Sequence, residues 1–237
     1  MYKKSALFYD ALYHFKDYAK ASERLLKIIN KHHPEAKTLL DVACGTGKHI
    51  EHIRKFIKPE GLDLSDELIA IAKERCPELN FYKGDMTDFN LEKKYDVVTC
   101  LFGSVAYSGT FDKLKKAMKC MSDHLNKNGL LIIEPWFSKE QFWLNRVTAN
   151  HYDHKDLKIT WMYTSKLEGD CALLDINYLV GTPDEVSCFN EKHLIGLFTD
   201  SEYRKAMTDA GVSVTFDEEC LFGKGVGNGI YIGNKIL

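Results

Sequence analysis

The sequence predicts an α/β fold: a parallel sheet with helices on both faces, and a small antiparallel β insertion late in the chain. Three observations predict it. Between residues 37 and 135, short apolar runs alternate with segments of helical periodicity. Those runs are apolar at consecutive positions, as strands buried on both faces require. From about 146 to 195 the helical period fades, and β-forming stretches separated by turn residues take its place.

The elements follow in order. Residues 6–15 and 17–31 carry apolar side chains at helical spacing, which predicts two N-terminal helices joined near Phe15-Lys16-Asp17. Thr38 to Ala43 is a short buried strand, followed by a helix from about Gly47 to Phe56. Glu60 to Leu64 is a second strand. Asp66 to Arg75 is a helix with Ser65 as its N-cap, since a serine hydroxyl accepts from the first free N–H groups. Leu79 to Lys83 and Tyr95 to Leu101 are the third and fourth strands. Phe111 to Leu125 is a helix, and Asn128-Gly129 turns into the strand Leu130 to Glu134. In the insertion, Thr160–Lys166, Ala172–Val180 and Val186–His193 read as strands, with turns at Glu168-Gly169-Asp170 and Pro183-Asp184. Ser201 to Gly211 returns to helix, with Gly211 as its stop. Val212–Phe216 and Gly229–Ile236 read as a terminal strand pair. The organisation expected is therefore an N-terminal helical lid (1–36), a central unit (37–145 and 196–237) and the antiparallel insertion (146–195).

Composition narrows the function. The 237 residues are 45% apolar and 28% charged, which are globular proportions and exclude a disordered chain. With Lys plus Arg at 32 and Asp plus Glu at 34, the net charge is -2, so a basic nucleic-acid footprint is absent. The seven cysteines form no Cys-x-x-Cys pair, which argues against a disulfide framework or a zinc site and for a reducing, cytoplasmic setting. No stretch approaches the roughly 20 apolar residues of a membrane span.

The sharpest local signal is residues 39–49, Leu-Leu-Asp-Val-Ala-Cys-Gly-Thr-Gly-Lys-His: an apolar strand, two glycines, then a helix. In an open parallel sheet, ligands bind at the carboxyl ends of the strands near the switch in strand order. Gly45 and Gly47 let the backbone pass close to a ligand. A dinucleotide fingerprint requires a third glycine where Ile50 stands, so NAD or FAD is disfavoured. Asp63 ends the next strand, where a carboxylate suits the two hydroxyls of a ribose. Asp85 ends the third strand, placed to accept from an adenine amine, and Met86 is placed to pack on the ring. His49 and His52 read as helix-face residues without the partners a zinc site needs.

Together these residues resemble the class I S-adenosylmethionine-dependent methyltransferases. The motifs are residues 41–47 (Asp-Val-Ala-Cys-Gly-Thr-Gly), 61–65 (Gly-Leu-Asp-Leu-Ser), 84–86 (Gly-Asp-Met) and 95–98 (Tyr-Asp-Val-Val). Within that class, several further stretches are similar to the N,N-dimethyltransferases of dTDP-3-amino-3,6-dideoxyhexoses. They are Lys16-Asp17-Tyr18, His49, residues 102–107 (Phe-Gly-Ser-Val-Ala-Tyr), His124-Leu125, residues 134–137 (Glu-Pro-Trp-Phe), Glu191-x-His193 and Leu197-Phe198-Thr199. The resemblance implies a Rossmann-like seven-stranded sheet, with the insertion over the active site. It implies S-adenosylmethionine as cofactor and S-adenosylhomocysteine as product. Gly45, Gly47 and the Ala43 carbonyl would line the methionine moiety, Asp63 and Leu64 the ribose end, and Asp85 and Met86 the adenine. Tyr13 and Tyr18 would close over the cofactor, with Phe102 under the sulfonium. The resembling enzymes are often dimers, which makes a homodimer the expectation. One departure bears on the nucleotide-sugar acceptor and not on the cofactor. The sugar enzymes tend to place an arginine in a Gly-Arg-Gly context near the last strand, where this chain has Gly227-Asn228-Gly229, with Lys224 nearby. A lysine supplies charge without the guanidinium fork.

Methyl transfer from a sulfonium is an in-line displacement in which the cofactor brings the reactivity and the protein supplies alignment. No triad is expected and none is found. The candidates for proton handling are Tyr13, His124 and His193, although His124 also ends a helix, where a cation complements the dipole in a structural role. The candidates for acceptor contact are Tyr107, Glu134, Trp136, Lys224 and Asn228. Alternatives remain open at this point: an amino acid, natural-product amine or hydroxyl as acceptor, or a non-catalytic cofactor-binding protein. Intact Asp41, Gly45, Gly47, Asp63 and Asp85 argue against the last. Nucleic-acid methylation is disfavoured, because Cys100-Leu101-Phe102-Gly103 stands where an Asn/Asp-Pro-Pro-Tyr type motif would be.

Overall fold

A computed structural model describes residues 4–223 and 227–236. The N-terminal stretch is a 3-10 turn (Ser5–Phe8), a single helical turn α1 (Tyr9–Leu12) and the long helix α2 (Tyr18–His32). Asp17 starts α2 by accepting the Lys20 N–H at 3.0 Å, an N-cap that fixes the break between the two helices. The first segment is thus not the continuous helix over 6–15 that the periodicity predicts.

The central unit then alternates β1 (Thr38–Val42), α3 (Lys48–Ile53), β2 (Lys58–Asp63), α4 (Asp66–Arg75), β3 (Phe81–Lys83), β4 (Tyr95–Cys100), α5 (Phe111–Asp123) and β5 (Leu125–Ile133). The period of two sorts the strands' side chains between two faces. Leu39, Val97 and Ile132 pack with Ala21, Leu25 and Ile29 of α2 on one face. Leu40, Val98 and Leu131 pack with Leu114, Met118 and Met121 of α5 on the other. All six strand residues are fully buried. Each large apolar side chain so buried contributes about 1.5–3 kcal/mol, which explains why these strands are legible as uninterrupted apolar runs. Ser65 caps α4 as predicted, its hydroxyl accepting the Leu68 N–H. α3 stops at Ile53, earlier than expected, and residues 54–56 turn. β5 begins at Leu125, and the Asn128-Gly129 signal marks an irregularity within it: the register with β4 jumps between Tyr95 and Val97, and Asn128 has a positive φ.

The insertion holds four strands: β6 (Val147–His154), β7 (Leu157–Glu168), β8 (Cys171–Gly181) and β9 (Val186–Gly196), all antiparallel in that order. β6 has no counterpart among the sequence-predicted strands. It is an edge strand of mostly exposed residues (Val-Thr-Ala-Asn-His-Tyr-Asp-His), so no apolar alternation betrays it. The inner face, with Ile159, Trp161, Leu174, Ile176 and Tyr178, joins the same core as Leu40 and Val98.

The chain closes with α6 (Asp200–Asp209), β10 (Thr215–Asp217) and β11 (Ile230–Asn234). Thr199 and Glu202 form a capping box at the start of α6. Gly211, at φ 77°, ends the turn after it. The seven-stranded sheet runs β3-β2-β1-β4-β5-β11-β10, parallel throughout except for β11. Strand order reverses on either side of β1 and β4, which places a ligand crevice at the carboxyl ends of those two strands.

Candidate active site at the carboxyl ends of the central strands

Both strands at the switch point leave the sheet through left-handed backbone. After β1, Ala43, Gly45 and Gly47 have φ of 59°, 57° and 73°; after β4, Phe102 and Gly103 have φ of 56° and 68°. A left-handed conformation at a residue with a Cβ costs about 1–2 kcal/mol, so Ala43 and Phe102 must be held by their surroundings. Phe102 is held by Glu134 at the end of β5. Its N–H donates to Glu134 Oε2 at 2.7 Å, and the Gly103 N–H donates to the Glu134 carbonyl at 3.1 Å. Burial raises the Glu134 carboxyl, while the Phe102 N–H, the nearby Lys16 and the Leu221 N–H oppose that shift. Trp136 packs on Gly103, where a Cβ would lie 2.9 Å from the indole.

Asp63, at the end of β2, is buried and faces the glycine turn. Its Oδ2 accepts the Gly45 N–H at 2.8 Å and its Oδ1 accepts the Ser65 N–H at 2.9 Å. Burial raises its carboxyl, and the backbone N–H groups pull the other way. Around Asp63 opens a cavity of ≈ 440 Å³. Ala43, Gly45, Leu64, Asp85, Met86, Ser104, Tyr107 and Tyr9 line it. Asp85, also on the cavity lining, accepts the Thr87 N–H and hydroxyl at one oxygen, both at 2.8 Å. A second, much smaller space lies under Tyr9, Tyr18, Ala43, Gly45, His49 and Phe102.

The N-terminal stretch covers this region. The Thr46 hydroxyl donates to Asp10 at 2.7 Å, and Arg75 bonds both Asp10 and the Thr46 carbonyl, so the glycine turn is tied to α1. The Tyr13 ring meets Phe102 edge-on at 5.1 Å, and Tyr18 lies 5.1 Å from His49. Lys16 reaches over the Phe102 ring, its nitrogen buried and without a hydrogen-bond partner among the described residues. Burial lowers its ammonium to about 6, against the pull of Glu134.

On the far side of the cavity, Tyr107 Oη lies 2.7 Å from His193 Nδ1. His193 is 2% exposed, on the inner face of β9. Its Nε2 is 3.7 Å from Glu191 Oε2.

The structure brings together Ala43, Gly45, Asp63, Leu64, Asp85, Met86 and Tyr107 around one cavity, with Tyr13, Tyr18 and Phe102 beside it. Glu134 and Trp136 stand behind the Phe102 turn rather than on the cavity wall. Asn228 is partly buried in a loop whose Gly227 approaches Glu134. Lys224 lies outside the described residues.

Of two histidines, His124 takes the structural place that its position at a helix end also predicts, and His49 departs from its sequence reading. His124 precedes β5 and so sits at the amino edge of the sheet, opposite the cavity. Its Nδ1 lies 2.7 Å from the Cys120 carbonyl, its Nε2 accepts the Leu91 N–H at 3.0 Å, and its ring stacks on Phe89. With both ring nitrogens engaged there, it handles no proton at the cavity. His49 is buried rather than on a helix surface. Its Nδ1 lies 3.1 Å from the Ser22 hydroxyl, and burial lowers its imidazole to about 3. Sequence reasoning missed Tyr9, and it held Lys16, Ser104 and Glu191 only as members of motifs, without a role. Tyr9 had a signal, since it sits four residues before Tyr13 on one helical face.

A methyltransferase-domain family model matches residues 39–129. The chain is 36% identical to dTDP-4-amino-2,3,4,6-tetradeoxy-D-glucose N,N-dimethyltransferase of Saccharopolyspora spinosa, over 95% of this chain and 90% of that one. It is 36% identical to dTDP-3-amino-3,6-dideoxy-alpha-D-glucopyranose N,N-dimethyltransferase of Streptomyces fradiae, over 91% and 85%. Among solved structures it is similar to Streptomyces venezuelae DesVI, with a TM-score of 0.87 and 34% identity over 96% of this chain and 94% of that one. It is also similar to S-adenosylmethionine-bound CalS10, an amino pentose methyltransferase from Micromonospora echinaspora, with a TM-score of 0.85 and 29% identity over 99% and 98%. With the strand order, the glycine turn and the Asp63 cavity in place, this chain belongs to the S-adenosylmethionine-dependent methyltransferases, in the sugar N,N-dimethyltransferase family.

Proposed function

We propose that this protein methylates the amine of a dTDP-linked amino deoxysugar, at the 3-amino group, once or twice, from S-adenosylmethionine. The observation that carries the reading is a single cavity with two chemically different ends. One end carries Asp63, Asp85 and Met86, and the other carries Tyr107 backed by the inserted sheet. Its ≈ 440 Å³ lies within the size range of cofactor and ligand sites.

The residues fit the cofactor. Gly45 has a left-handed backbone, at φ 57°, that a residue with a Cβ adopts only under strain, and it lines the cavity beside Asp63. Asp63 offers a carboxylate to the ribose hydroxyls, Asp85 a free oxygen to the adenine amine, and Leu64 and Met86 apolar faces to the ring. Tyr13, Tyr18 and Phe102 close on the methionine end, where aromatic faces suit a sulfonium cation, whereas Gly47 packs against Ala72 and Phe81 beneath the turn. The bound cofactor supplies the electrophilic methyl group. The chain aligns the amine with it and excludes water, and alignment of this kind is worth at most about 7–11 kcal/mol. The segment 1–36 acts as the lid, 37–145 with 196–237 holds the cofactor, and 146–195 holds the acceptor. Asn228 and Lys224 lie on the stretch proposed to meet the diphosphate. The same reading makes the protein a cytoplasmic enzyme that needs no nucleic acid. Exposed Met162, Leu179 and Leu194 on the outer face of the inserted sheet support a homodimer.

Asn228, where the resembling sugar enzymes tend to carry arginine, favours a second reading with another small-molecule amine or hydroxyl as acceptor. Mass spectrometry of 3-amino and 4-amino dTDP-sugars incubated with enzyme and cofactor separates the two. Methylation of the 3-amino sugar supports the first reading. Cofactor binding without methylation of either sugar supports the second.

A further inference from the structure

We propose that Tyr107, His193 and Glu191 form a proton relay leading away from the acceptor amine, with Glu191 as a positioning residue set by docking of the N-terminal segment. The proposal rests on the amine-methylation reading above and assigns the path of the proton that each transfer releases.

The geometry crosses three distant parts of the chain. Tyr107, in the 3-10 turn Ser104–Ser108, lines the cavity, and its hydroxyl lies 2.7 Å from His193 Nδ1. His193 and Glu191 are two residues apart on β9, so both face inward. Their strand partners Leu174 and Ile176 on β8 are buried, so the pair lies in apolar surroundings. Glu191 Oε2 stands 3.7 Å from His193 Nε2. The same carboxylate accepts the Lys4 N–H at 3.0 Å, the Ser5 N–H at 3.2 Å and the Ser5 hydroxyl. Three donors from residues 4 and 5 therefore fix its orientation, and those residues lie at the start of the segment that covers the cavity. Among the described residues, Tyr178 of β8 is a further titratable group near Glu191, and Tyr178 in turn lies near Tyr13 of the N-terminal stretch and Tyr163 of β7.

The chemistry requires such a path. A neutral amine attacks the methyl carbon, the S–CH3 bond breaks, and an N–CH3 bond forms. The product is an ammonium, and a second transfer needs it neutral again. The ammonium gives a proton to Tyr107 Oη as the Tyr107 hydroxyl proton passes to His193 Nδ1. The imidazolium so formed carries its Nε2–H toward the Glu191 carboxylate, and returns one proton to solvent as product leaves. Tyr107 is never anionic, and no co-reactant is needed.

The resting enzyme offers a direct test. The relay requires His193 to carry its proton on Nε2 and to accept at Nδ1. ¹⁵N NMR of the selectively labelled imidazole, with no acceptor present, reads this tautomer, and an Nδ1–H signal overturns the proposal. Glu191→Gln keeps an amide oxygen for the Lys4 and Ser5 N–H groups but removes the charge facing His193. It should lower kcat about tenfold or more, leave S-adenosylmethionine affinity unchanged by calorimetry, and make monomethylated product accumulate. Raising the pH should relieve that accumulation, because the amine then loses its proton without help, and Glu191→Asp should restore part of the rate. Ser5→Ala, which removes one donor and little packing, should shift the product ratio in the same direction. An unchanged ratio of mono- to dimethylated product in folded Glu191→Gln overturns the relay. Failure of the wild type to methylate any amino sugar counts against the acceptor reading alone, since the tautomer is read without an acceptor.

Discussion

Glu134 and Phe102 meet through one hydrogen bond, from the Phe102 N–H to Glu134 Oε2 at 2.7 Å. It ties the end of β5 to the strained turn after β4, at the point where the strand order switches. The carboxylate that the sequence offers as an acceptor contact thus shapes the floor of the site. Replacing Glu134 with alanine leaves a buried N–H without its partner, which costs about 1–3 kcal/mol. Chemical denaturation of Glu134→Ala should show that loss, together with a fall in kcat. Unchanged stability would remove the bracing role.

Asp63 serves two partners at once, the Gly45 and Ser65 N–H groups. It lines the cavity wall, where the proposed function puts the ribose. Asp63→Ala should weaken S-adenosylmethionine binding by about 1.5–3 kcal/mol, the scale of hydrogen bonds to a charged group, or roughly 10- to 100-fold in Kd. Titration calorimetry measures it, and unaltered affinity contradicts the assignment.

His124 should behave as a structural residue. His124→Ala removes the acceptor for the Leu91 N–H, the bond to the Cys120 carbonyl and the stacking on Phe89. The expected outcome is a loss of about 1–3 kcal/mol in stability with kcat/KM unchanged below the melting range. A large fall in kcat at full stability would return His124 to the site.

Asp41 should make stability depend on pH. Burial raises its carboxyl from 3.8 to about 7, even though the Thr99 hydroxyl donates to it at 2.7 Å. Between those values the folded state binds more protons than the unfolded one. Stability therefore falls as pH rises from about 4 to 7, by up to about 4 kcal/mol. Asp41→Asn keeps the acceptor for Thr99 and removes the titration. Urea unfolding across that range should give a sloping profile for the wild type and a flatter one for the variant.

The parts of the molecule that sequence reveals are those with local causes. β1 and β4 are buried on both faces and read as apolar runs, Ser65 caps α4 three residues before the N–H it accepts, and Asp63 follows an apolar strand. β6 was illegible because an exposed edge strand has no burial pattern to impose. The separation of His124 from His193 had a signal that residue type alone hides. A residue preceding a parallel strand lies at the edge away from the ligand crevice, whereas His193 belongs to the inserted sheet that reaches the cavity at Tyr107. The contact between Ser5 and Glu191 spans 186 residues, and nothing near either residue announces it.

The central claim is transfer of methyl groups from S-adenosylmethionine to an amino sugar nucleotide. The most direct measurement incubates the purified protein with that cofactor and dTDP-3-amino-3,6-dideoxyglucose and follows both by mass spectrometry. The expected result is sugar carrying one, then two, added methyl groups, with a matching release of S-adenosylhomocysteine. Bound cofactor and an unmodified sugar, at full occupancy of the site, would contradict it.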